Sequence, residues 1–131
     1  MKTVAETCLR GAETNSMTFP QIVGTLMQSG FESYSIDFRR ASATYYLPDS
    51  DSVVLPTHLE DVPIAPALDV SAVRSAIRDA QALSPGYSYA GFCARVRRAG
   101  CAGYIVSLSG RRAVYFGRTA ETHVELFPQD R

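Results

Sequence analysis

The chain carries one structural unit twice. Shifted by seventy positions, the segment from Thr18 to Leu47 lies without a gap over the segment from Ser88 to Gly117. Gly30 falls on Gly100, Tyr34 on Tyr104, Ala43 on Ala113 and Tyr45 on Tyr115, the four identical pairs. Phe19, Ile22, Leu26, Ile36, Phe38 and Tyr46 meet Tyr89, Phe92, Val96, Val106, Leu108 and Phe116. Apolar positions therefore recur in register, first with a helical period and then with the two-residue period of a strand. Each half is too small to hold a core of its own, whereas 131 residues together support one. The two units are expected to share a single core in one domain.

Local signals divide each unit in the same way. Lys2 to Thr14 reads as an amphipathic helix with Val4, Cys8, Leu9 and Ala12 on one stripe. Thr18 is placed to cap a second helix that tolerates Pro20 in its first turn and ends at Gly30. Tyr34, Ile36 and Phe38 then alternate with Ser35 and Asp37, and strands over Ala43–Leu47 and Ser52–Leu55 follow, divided by the Pro48-Asp49-Ser50-Asp51 turn. The second unit repeats the pattern: a helix capped by Asp69 through Leu83, another capped by Ser88 and ended by Gly100, and strands over 103–108, 112–116 and 122–127. The expected fold is α+β, two tandem αα-βββ repeats of about 1–57 and 69–128 with pseudo-two-fold symmetry and antiparallel strands. A proline-rich linker, 58–68, joins them. Six strands in one sheet and two facing sheets are both compatible with the pattern.

These copies resemble a known family. The run Phe19-Pro-Gln-Ile-Val through Gly30-Phe-Glu-Ser-Tyr-Ser-Ile-Asp-Phe to Thr44-Tyr-Tyr carries the resemblance. So does its partner, from Tyr87-Ser-Tyr-Ala-Gly-Phe through Ala99-Gly-Cys-Ala-Gly-Tyr to Val114-Tyr-Phe-Gly and Thr122-His-Val-Glu. Together they are similar to small bacterial and prophage proteins catalogued as a domain of unknown function and loosely labelled "phage envelope protein". The resemblance covers nearly the whole chain and rests on structural motifs. It brings no activity and no catalytic residue with it, and nothing in the chain resembles a membrane or capsid element.

Composition sets further bounds. No apolar run is long enough to cross a bilayer, and Glu6 falls where a secretory signal would carry its apolar stretch, so a soluble cytoplasmic protein is expected. Three cysteines, Cys8, Cys93 and Cys101, have neither Cys-x-x-Cys spacing nor a histidine beside them, which argues against zinc; Cys8 and Cys93 read as core thiols. No cofactor is expected, because Gly100-Cys-Ala-Gly103 precedes a strand, the wrong order for a phosphate-binding loop.

Two sets of side chains carry what chemistry there is. His58 and His123 are the only histidines, each with carboxylates nearby in sequence, Glu60 and Asp61 for one and Glu121 and Glu125 for the other. Should the symmetry bring them together, His58, His123 and Glu125 form an acid/base pair or an oxygen and nitrogen metal site, against the simpler reading of an edge strand with mixed charges. The second set follows from charge. Acids outnumber bases nine to four from Met1 to Val70, while eight arginines face the single acid Asp79 from Ser71 to Arg118. Arg95 and Arg98, with Arg97 at their flank, and Arg111 and Arg112 form a candidate patch. It suits an acidic protein surface or the acidic repeat of another copy, and less well nucleic acid, with Tyr87 to stack on bases. The leading expectation is a non-enzymatic module that acts through protein contacts.

Overall fold

The computed structural model describes residues 2–128. Its elements run α1 (Lys2–Glu13), α2 (Phe19–Gln28), β1 (Ser33–Asp37), β2 (Ser42–Tyr46), β3 (Ser52–Pro56), α3 (Val70–Ala82), α4 (Tyr89–Arg98), β4 (Cys101–Ser107), β5 (Arg112–Gly117) and β6 (Thr122–Leu126). The αα-βββ order holds in both halves, with element ends moved by one or two residues. The helix starts follow from their caps. Thr18 and Gln21 form a reciprocal capping box, and the side chains of Asp69 and Ser88 accept the N–H groups of Ala72 and Gly91.

All six strands belong to one antiparallel sheet in the order β3-β2-β1-β4-β5-β6. The repeats join where β1 pairs with β4, and there Ser35 sits directly opposite Ile105. These are equivalent positions of the two units, and a residue can face its own equivalent only on a two-fold axis. The pseudo-symmetry axis therefore passes through the centre of the sheet. The contact of Tyr34 with Tyr45, ring centroids 5.4 Å apart, recurs in Tyr104 with Tyr115 at 5.1 Å.

Alternation decides which face is covered. Tyr34, Ile36, Ala43 and Tyr45 of the first unit and Tyr104, Val106, Ala113 and Tyr115 of the second point into one buried core under the helices. The first helix of each unit corresponds as well, since Ala5, Cys8 and Leu9 of α1 are buried as Val73, Ala76 and Ile77 of α3 are. That correspondence has a shift of 68, so the second unit carries two more residues before its second helix. The helix pairs correspond too: α1 packs on α2 as α3 packs on α4, and α1 also reaches β3 and α4.

The linker is fastened rather than free. Arg97, expected on an exposed flank, is buried at 7% exposure; its Nε donates to the Val62 carbonyl at 2.7 Å, its Nη2 reaches Asp61, and its guanidinium lies over the Phe38 ring. The N–H of Ala65 returns a bond to the Arg97 carbonyl, and that of Asp69 bonds the Ala99 carbonyl at 2.7 Å. Gly100, at φ +95°, lets the linker approach so closely that a Cβ there would stand 2.0 Å from the Ala67 carbonyl oxygen.

Candidate interaction surface

The two histidines are held on opposite edges of the sheet. His58 follows β3 and His123 lies in β6, so five strand spacings, roughly 24 Å, separate them. At the first edge Arg10 Nη1 lies 2.6 Å from His58 Nδ1; arginine only donates, so Nδ1 accepts. Glu13, its side chain 8% exposed, accepts from Arg10 at 2.7 Å and from the His58 backbone N–H at 2.7 Å. This cluster ties the linker to the end of α1. At the other edge His123 Nε2 donates to Glu125 Oε1 at 3.0 Å. Glu121 takes no part, for its carboxylate accepts from Thr119 and from the Leu68 N–H, bonds that hold it below the usual carboxylate range. The acid/base pair or metal site built from both histidines is therefore not assembled. Among the described residues no group of three or more His, Cys, Asp and Glu stands close enough to hold a metal ion.

The arginines divide likewise. Arg95 and Arg98 stand at the end of α4, before β4 begins, and Arg111 and Arg112 lie beyond its other end, about 20 Å along the strand. Arg95 donates to Asp79 at 2.7 Å, and that bond lowers the Asp79 pKa. Arg98 borders an open depression of about 590 Å³ lined by the linker from Glu60 to Pro66. The Arg111 guanidinium lies over the Phe127 ring, and Arg112 opens β5 at the edge of the open face. Two separate pairs replace the continuous patch, because α4 and the β4–β5 turn sit at opposite ends of one strand.

The thiols are inert at neutral pH. Cys8, Cys93 and Cys101 are all buried and unpaired, and burial pushes Cys93 up to about 12 and Cys101 up to about 11.

The surface feature in which the two repeats differ is on the open face of the sheet. A row of directly opposed residues crosses all six strands: Val54, Thr44, Ser35, Ile105, Val114 and Val124. Its first-unit part carries hydroxyls in the middle, and its second-unit part is aliphatic throughout. Beside it Phe116 replaces Tyr46 and Leu126 replaces Pro56. Ile105, Val124 and Leu126 are exposed at 40%, 47% and 61%, while Val114 and Phe116 are half-buried. Reading strands for their buried alternation leaves these residues unremarked. Comparing the outward positions at the seventy-residue shift exposes the difference.

Fold and surface together define a duplicated two-layer α+β domain with one face under helices and an open face that is more apolar on its second half. The chain belongs to DUF1398, a family of proteins of unknown function, whose profile matches residues 9–125. No curated protein matches it. Among the described residues no helix is long and apolar enough to cross a membrane.

Proposed function

We propose that this protein is a non-enzymatic interaction module, of bacterial or prophage origin and acting in the cytoplasm, that binds an acidic partner protein on the open face of its second repeat. The origin rests on the sequence resemblance. The observation that carries the binding surface is the internal comparison between repeats. The same backbone folds in the first unit with Ser35 and Thr44 on this face, so Ile105 and Val114 are not requirements of the fold. Aliphatic side chains held in water where hydroxyls suffice are the mark of a surface kept for contact. Arg112, directly opposite Leu126 at the end of this half-face, supplies the charge that a carboxylate on the partner answers.

The test transplants the first repeat's face onto the second. Tagged protein is purified from its native cell with and without nuclease, and captured proteins are identified for wild type, Ile105→Ser/Val114→Thr and Arg112→Glu. A partner that survives nuclease, and is lost from the first variant while its circular dichroism and melting stay at wild-type values, supports the reading. Capture that depends on nucleic acid, or that the face variant leaves unchanged, refutes it.

A further inference from the structure

The two outer edges of the sheet are built differently, and the difference identifies a second interaction surface independent of the open face. In the β5–β6 ladder the Gly117 N–H bonds the Glu121 carbonyl and the Phe127 N–H bonds the Arg111 carbonyl. Bonded pairs recur every second residue in an antiparallel ladder, so His123 and Glu125 turn their backbone groups toward β5. Thr122, Val124 and Leu126 turn theirs outward, and none of these is hydrogen-bonded among the described residues. The same reasoning on β3, from the bonds of Leu47 to Asp51 and of Thr57 to Ala41, turns Ser52, Val54 and Pro56 outward. Pro56 has no N–H, so the first edge lacks a donor where the second, at Leu126, has one.

The inward residues differ too. Val53 and Leu55 are buried at 8% and 4%, whereas their equivalents are His123 and Glu125, a hydrogen-bonded polar pair with side chains 16% and 31% exposed. An inward-pointing charge normally protects an edge, because adding a strand would bury it without a counterpart. Here the sequence supplies the counterpart. In an antiparallel pairing of two β6 strands centred on Val124, Thr122 falls opposite Leu126 of the second copy, and His123 opposite Glu125 of the second copy. The outward backbone groups then form about six bonds. The His123–Glu125 positions become non-hydrogen-bonded pairs, the kind in which side chains approach closest, with an imidazole facing a carboxylate.

We propose that a second copy of this chain pairs with the β6 edge in this register. The dimer has one continuous twelve-stranded sheet, a four-residue imidazole and carboxylate cluster across its two-fold axis, and two adjoining apolar half-faces.

Sedimentation of the full chain over a wide concentration range reads the association, and amide exchange reads the edge. Wild type should form a dimer of twice 14.3 kDa, with the Thr122, Val124 and Leu126 amides protected at high concentration and exchanging quickly on dilution. His123→Glu, which sets carboxylates opposite each other, should weaken the dimer by at least about tenfold, and adding Glu125→His should restore it. Leu126→Pro gives the second edge the residue that the first tolerates in Pro56, and should weaken the dimer to a similar degree without lowering the melting temperature by more than a few degrees. A wild type that stays monomeric at every concentration, or a dimer indifferent to both His123→Glu and Leu126→Pro, overturns the proposal. His123 and Glu125 lie on the covered face, so their exchange leaves docking on the open face unchanged and the two readings fail separately.

Discussion

Alkaline pH acts on the interior, because the core is lined by acids that must stay protonated. Tyr34, Tyr45, Tyr104 and Tyr115 are each under 10% exposed, and burial raises all four phenols far above the usual 10.0, with neighbouring phenols and thiols pushing the same way. Cys93 and Cys101 are raised from 9.0 to about 12 and about 11. The unfolded chain ionises these groups at their ordinary values and the folded chain does not. Stability is therefore complete below those values and falls as pH rises above them. At about pH 11 each phenol has cost the folded state about 1.4 kcal/mol and each thiol about 2.5, together about 11 kcal/mol. Set against a typical stability of about 5–15 kcal/mol, unfolding should fall between about pH 10 and 12. Tyrosinate absorbance and far-ultraviolet circular dichroism, followed together, read this. The four core tyrosines should ionise together as the helix signal collapses. Gradual ionisation of all of them near pH 10, with helix content unchanged, would refute the linkage.

Other substitutions probe the same framework. Gly30 and Gly100 both sit at positive φ, but a Cβ at Gly30 meets nothing within 4 Å. Gly30→Ala should cost about 1 kcal/mol and Gly100→Ala at least about 3, by urea unfolding, since only the second also drives into the linker. Arg97→Ala should cost about 2–4 kcal/mol because it strands the Val62 carbonyl and removes the cover of Phe38, while the exposed neighbour Arg98→Ala should fall within about 0.5. Replacing His123 with Val and Glu125 with Leu, the residues of the first edge, should raise the stability of the monomer by about 1–2 kcal/mol, by urea unfolding.

The helix caps at Thr18, Asp69 and Ser88 and the glycine stops at 30 and 100 are local chemistry, so α2, α3 and α4 can be read along the chain, and α1 is read from its apolar stripe. Strand existence follows equally from the alternation around Tyr34 and Tyr104. The choice between one sheet and two is not local. It depends on β1 finding β4 with Ser35 against Ile105, a pairing between residues seventy apart that no short window contains. Arg97 misleads for a related reason: helical periodicity places it at the edge of the polar face, and only the return of the linker across α4 covers it. The histidines and the arginines are grouped by sequence proximity and by an assumed approach of the repeat ends. The observed two-fold axis runs between the central strands and so sends the two repeat ends to opposite edges.

Duplication supplies what a single unit cannot, a control for each position. Where both copies agree, as at Tyr34 with Tyr104 and Tyr45 with Tyr115, the shared core accounts for the residue, and no functional argument is needed. Where they part at an equivalent place in the same sheet, the fold has already accepted the other residue, and its demands cannot explain the choice. Five departures lie on the open face and on the outer edge: Ser35 against Ile105, Thr44 against Val114, Val53 against His123, Leu55 against Glu125 and Pro56 against Leu126. All place the less ordinary member in the second repeat, with aliphatics facing water and a polar pair facing the core. One repeat is thus built as a plain half of the scaffold. The other carries both surfaces on which contact with further protein is expected.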